Sequence, residues 1–128
     1  MKTLLLSALV NFSVAGAAFA EACVHNTDAP ATTAEIVEFR LVEGTSQDQF
    51  LASAQVTVDY LCQVDGFVRR SLSRDDTGLW TDYVEWTSPE LAQAAAQAAM
   101  QREDMMPFMM AIDPKTLSMR YADITKIE

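Results

Sequence analysis

The sequence predicts an α+β domain, a four-stranded antiparallel sheet with two helices on one face. Three observations carry this. Strand-like segments, alternating or rich in aromatic and β-favouring residues, recur along the chain. Two longer segments with helix-start signals separate the first from the second and the third from the fourth. The second and third are joined by Asp75-Asp76-Thr77-Gly78, where acidic residues and glycine suit a tight hairpin.

The elements follow in order. Glu35 to Glu43 alternates, with Val37, Phe39 and Leu41 on one face and Ile36, Glu38, Arg40 and Val42 on the other. Gly44-Thr45 ends that strand. Ser46-Gln47-Asp48-Gln49 is a capping box opening a helix that runs to about Gln63, with Phe50, Ala54 and Leu61 in its buried stripe. Asp65-Gly66 leads into a second strand, Phe67 to Arg74. Leu79 to Trp86 is the third, holding both tryptophans. Ser88 suits an N-cap and Pro89 the first helical position, and the alanine-rich run from Leu91 to Met100 continues the helix. Met105 to Ile112 is an apolar segment expected to form a short helix opened by Pro107. After Asp113-Pro114, Leu117 to Ile124 is the last strand, with Leu117, Met119 and Tyr121 on one face.

The order β-α-β-β-α-β, with short connections and right-handed crossovers, points to a ferredoxin-like sheet. On the third strand Trp80, Asp82, Val84 and Trp86 share a face and, as the bulkier set, should look toward the helices. Leu79, Tyr83 and Glu85 then look the other way with Ile36 and Val42 of the first strand. That second face is too apolar to be simply wet, and a second copy of the chain is the expected cover, giving a homodimer.

The chain of 128 residues is one domain's worth and carries a net charge of −9. Residues 1–20 read as a secretory signal peptide: Lys2, an apolar run from Leu4 to Val10, and an Ala18-Phe19-Ala20 cleavage site. Removing it takes away one base and no acid, so the mature chain is more acidic still. Such a surface disfavours nucleic acid and anionic lipid. A periplasmic or secreted location follows, with no membrane association after cleavage. Residues 21–33 read as an irregular tail and 34–128 as the domain. Cys23 in the tail and Cys62 near the end of the first helix could pair in an exported protein, or Cys62 could be a buried free thiol. The one histidine, His25, lies in the tail beside Cys23, too sparse a ligand set to predict a metal. No activated serine motif and no phosphate-cradling glycine loop occurs.

Glu35-Ile36-Val37-Glu38-Phe39-Arg40-Leu41, the reversal Val64-Asp65-Gly66-Phe67, and Tyr83-Val84-Glu85-Trp86-Thr87-Ser88-Pro89-Glu90-Leu91-Ala92 resemble the dimeric α+β barrel superfamily, and within it the antibiotic-biosynthesis-monooxygenase-like domains. The resemblance spans roughly Glu35 to Ile124. It implies a homodimer with sheets facing each other and, in each subunit, a pocket between sheet and helices. Some relatives oxidise quinols or polycyclic aromatics without metal or flavin, others degrade haem, and many have no known activity. Asp82 and Trp86 look like the polar residue and tryptophan of the cofactor-free pocket, although the family's polar residue is usually an amide. The aromatic hydroxyl or histidine expected on the second helix is missing, and without a helical histidine a haem site is disfavoured. The expected cofactor complement is therefore none.

From these residues the expected site is a pocket for a small apolar or aromatic molecule, lined by Trp80, Trp86, Met105, Phe108 and Met109. Asp82 is its candidate catalytic base, with an ion pair to Arg69 or Arg120 as the structural alternative. Two functions remain open: a non-catalytic binding domain, or a cofactor-free monooxygenase acting on a quinol or polycyclic aromatic. The methionines at 105, 106, 109 and 110 could offer thioethers to Cu(I), but such a cluster more often supplies adaptable packing.

Overall fold

A computed structural model describes residues 29–127. The segment read as a signal peptide, Cys23 and His25 lie outside the described residues. The order is β1 (Thr33–Phe39), α1 (Gln47–Leu61), β2 (Phe67–Arg74), β3 (Trp80–Trp86), α2 (Pro89–Ala99), a 3-10 turn (Glu103–Met105), the short helix α3 (Met106–Met110) and β4 (Ser118–Asp123). The sheet order is β2-β3-β1-β4, and the pairs β2–β3, β3–β1 and β1–β4 are all antiparallel. This is the ferredoxin-like β-α-β-β-α-β fold. No helix among the described residues is long and apolar enough to cross a membrane.

Local signals explain the helix starts. Ser46 accepts from the Gln49 backbone N–H at 3.1 Å, and the Gln49 side chain accepts from the Ser46 N–H at 3.2 Å. Ser88 caps α2 by accepting from the Leu91 N–H at 3.2 Å, with Pro89 at its first position. Gly66, with φ +84°, ends the α1–β2 turn. A Cβ there would meet Leu91 Cδ1 at 2.6 Å, so both the backbone angle and the approach of α2 demand glycine.

Two corrections concern strands. β1 ends at Phe39 rather than Glu43, because the Arg40 N–H turns to Thr116 Oγ1 at 2.9 Å and only an isolated bridge, Leu41 to Ile112, follows. In β2 a bulge between Phe67 and Arg69 reverses the alternation. Phe67 pairs with Trp86 and Arg70 with Val84, so Arg70 rather than Arg69 shares the helix-side face.

The core has two ends. At one, Phe39, Phe50 and Trp80 are buried together, with Phe50 and Trp80 in edge-to-face contact at 4.8 Å between ring centres. At the other, Phe67, Val84 and Trp86 pack on Ala92 and Ala95 of α2. A third group, Tyr60, Ala99 and Met105, joins α1, α2 and the 3-10 turn.

Candidate functional site

Between the sheet and the helices, at the Trp86 end, lies a cavity of about 110 Å³. Its walls follow from the pleat and the helix stripe. Glu35 on β1 pairs with Val84 in register, so it shares the face of Asp82, Val84 and Trp86 on β3. Across the layer, α2 presents Ala95, Ala96 and Ala99. Small side chains opposite Trp86 leave the space open. Thr57 and Tyr60 of α1 line another wall, and Met105 and Phe108 close the side toward α3.

Asp82 is buried and doubly held. Arg70 Nε donates to its Oδ1 at 2.8 Å and Nη2 to its Oδ2 at 2.6 Å. Both side chains are only 11% exposed. The Arg70 guanidinium also donates to Thr57 Oγ1 and lies 5.4 Å from the centre of the Phe108 ring. The ion pair anticipated for Asp82 therefore forms, but with Arg70 instead of Arg69 or Arg120. The β2 bulge is the reason. Arg69 instead bridges Glu85 at 2.6 Å on the opposite sheet face.

Glu35 has no such partner for one of its oxygens. Among the described residues, the buried side-chain polar atoms without a hydrogen-bond partner are Glu35 Oε2 and Trp86 Nε1, and both residues line this cavity. Burial, reinforced by the negative charge of Asp82, pushes the Glu35 carboxyl up to about 7. Arg70 and the Trp86 indole N–H oppose that shift, yet no well-formed hydrogen bond joins indole and carboxyl. Tyr60 does not compete for the space, since its hydroxyl donates to the Ala95 carbonyl at 2.6 Å.

The structure thus brings Asp82, Trp86, Met105 and Phe108 to one cavity, and leaves two anticipated lining residues outside it. Trp80 sits at the far end of β3, about 20 Å along the strand at ~3.3 Å per residue, inside the phenylalanine cluster. Met109 packs behind Met105 against the Tyr60–Ala99 group. Glu35 and Arg70 are the charged residues that sequence reasoning missed, and Thr57 and Tyr60 of α1 were likewise not anticipated. The signal for Glu35 was its parity with Val37 and Phe39, which places a carboxylate on the apolar face. No group of three or more His, Cys, Asp or Glu placed to hold a metal occurs among the described residues.

No protein-family model and no curated protein matches the chain in sequence. Solved structures do match in fold. The cofactor-independent oxygenase SnoaB from Streptomyces nogalater aligns with a TM-score of 0.53 at 15% identity, over 77% of this chain and 96% of that one. The ActVA-Orf6 monooxygenase from Streptomyces coelicolor, solved in complex with nanaomycin D, aligns with a TM-score of 0.54 at 12% identity, over 77% and 91%. A dimeric ferredoxin-like protein from an uncultured marine organism gives 0.54 at 9% identity, over 77% and 92%. The chain shares the ferredoxin-like α+β fold of these structures.

Proposed function

We propose that this domain binds a small, flat, mostly apolar molecule carrying a hydroxyl group, in the cavity between the sheet and the helices. The carrying observation is the pair of unused buried groups, one acceptor and one donor, on the walls of the same cavity. A phenolic hydroxyl can donate to Glu35 and accept from Trp86, which removes both desolvation penalties at once. The surrounding alanines, Val84 and Phe108 suit a ring face. Titration with phenol, followed by tryptophan fluorescence and calorimetry, tests this. Ala96→Leu, which fills the cavity, should weaken binding at least about tenfold. Equal affinity in wild type and Ala96→Leu would refute the site.

A second reading, a cofactor-free monooxygenase, is favoured by one further observation. A carboxyl near 7 is well matched to proton abstraction at neutral pH, and two fold relatives bear oxygenase names. Glu35, not the doubly bonded Asp82, is then the base. It takes an acidic proton from a ring CH2, the anion passes electrons to dioxygen, and CH2 plus O2 becomes C=O plus water. Oxygen uptake with a panel of quinols and anthrone-like compounds measures this. Uptake abolished in Glu35→Gln supports it, and none in wild type excludes it for that class.

We also infer that the open sheet face forms a homodimer. Ile36, Tyr83 and Ala122 interrupt its charges, and all are half-buried rather than free. Light scattering at micromolar concentration should give twice the monomer mass. A monomer there would rule out this assembly.

A further inference from the structure

The cavity is small. At about 110 Å³ it holds a single ring, whereas sites for drug-sized molecules run from ~300 Å³ upward. A second, larger space adjoins it. A groove of about 550 Å³ runs between α1 and the edge strand β2. Its walls include Leu51, Val58, Val68 and Leu72, and the charged residues on them are Arg69 and Arg70, each already neutralised by a carboxylate. The groove therefore offers apolar surface without a free charge. Leu51, on its wall, is an aliphatic side chain that remains 40% exposed.

Two residues, Leu61 and Arg70, belong to the walls of both spaces. On its inner side Arg70 holds Asp82 and faces the Phe108 ring, and the same residue bounds the groove. Leu61 and Arg70 thus stand at the boundary that the two compartments share.

Resting on the reading of the cavity as a ligand site, we propose that the α1–β2 groove is its second subsite. The ligand class is then a hydroxylated ring extended by an uncharged apolar chain or further rings. The ring hydroxyl engages Glu35 and Trp86, and the extension passes Leu61 and Arg70 to lie along α1. No charged group is needed on the extension, because the groove has none to spare.

Phenol and 4-hexylphenol separate the two compartments. In wild type the hexyl chain should raise affinity by about 100-fold, a fraction of what burying an alkyl chain of that length can supply. Gln55→Trp and Val58→Trp obstruct the groove without touching the cavity walls. Gln55 is exposed on α1, so at least that variant leaves the core undisturbed. In both, phenol affinity should stay within about twofold of wild type while the chain's gain falls below about fivefold. Phenol binding with no gain from the chain, or a gain that survives both variants, overturns the groove and leaves the cavity reading intact. Failure of both compounds to bind removes the cavity reading and the groove with it. Binding of 4-hexylphenol that is indifferent to Ala96→Leu but lost in Gln55→Trp would keep the groove as a site and detach it from the cavity, overturning the joint subsite.

Discussion

Trp80 and Trp86 leave the same face of β3 from its opposite ends, and their surroundings differ in kind. Trp80 packs edge-on against Phe50, which in turn meets Phe39 and Phe108, with ring centres 4.8–5.7 Å apart around Phe50. Every ring there has another ring to cover it. Trp86 packs on Phe67 at 5.8 Å but faces alanines across the layer, and its indole N–H is left without a partner near a carboxyl with one oxygen equally short of one. The first end is what dispersion and area burial alone would build. The second carries a void, two unsatisfied polar atoms and a carboxyl held near 7, each of which costs stability. One strand therefore supplies both core and site, and what separates them is the size of the helix residues opposite.

That contrast is open to direct attack. The largest effect should come from Arg70→Ala. It strands Asp82 as a buried charge with both oxygens unbonded, and removing one partner of such a pair costs about 3–5 kcal/mol. Urea denaturation measures it. Arg70→Ala with Asp82→Asn should recover part of the loss, and a double variant no better than the single one would mean that the charge pair is not what matters at this end.

Glu35→Gln should act in the opposite direction, by roughly 1–2 kcal/mol, allowing for solvent screening of a carboxyl that is not fully enclosed. The sign follows from the raised value. The folded carboxyl titrates at about 7 against an ordinary 4.5. Below the ordinary value it is protonated in both folded and unfolded chains, and nothing is lost. As pH rises from 4.5 to about 7 the unfolded chain gives up its proton while the folded carboxyl keeps it, so wild-type stability falls relative to the variant until the folded carboxyl also ionises. The advantage of Glu35→Gln should be absent below pH 4.5, grow as pH rises toward about 7 and be complete above that. A constant difference across that range would mean that Glu35 is solvated in the folded protein.

The comparison also shows what the sequence discloses. The element order, both helix caps and the inward face of β3 were legible, because Ser46 with Gln49, Ser88 with Pro89, and the period of Trp80, Asp82, Val84 and Trp86 are local signals. The site was legible only where it shared those signals. Asp82 and Trp86 follow from alternation along one strand. The Arg70 partner does not, because a bulge after Phe67 shifts the alternation by one, and no residue type announces a bulge there. The separation of Trp80 from Trp86 into packed and open ends depends on Ala95, Ala96 and Ala99 lying opposite only one of them. That pairing is set by how α2 crosses the sheet, a tertiary fact. Likewise the phase of Glu35 with Val37 is a local signal, but the unpartnered state of its Oε2 depends on the position of every neighbour.

The smallest expected effect tests the contrast most closely, because it makes one substitution at both ends. Trp80→Phe removes half a ring system from a site where aromatic neighbours surround it, and it should cost about 1–3 kcal/mol. Trp86→Phe loses similar area, but it also removes a buried N–H that has no partner, a group whose desolvation costs roughly 1–3 kcal/mol. The two terms oppose each other, so its stability should lie within about 1 kcal/mol of wild type. Phenol affinity should nevertheless drop several-fold, since the hydroxyl then has Glu35 alone to bond. Thermal or urea unfolding of both variants, paired with the phenol titration, gives the answer. Equal destabilisation of the two would mean that Trp86 is packed and satisfied like Trp80. A neutral Trp86→Phe with unchanged phenol affinity would mean that the indole N–H, though unpaired, takes no part in recognition.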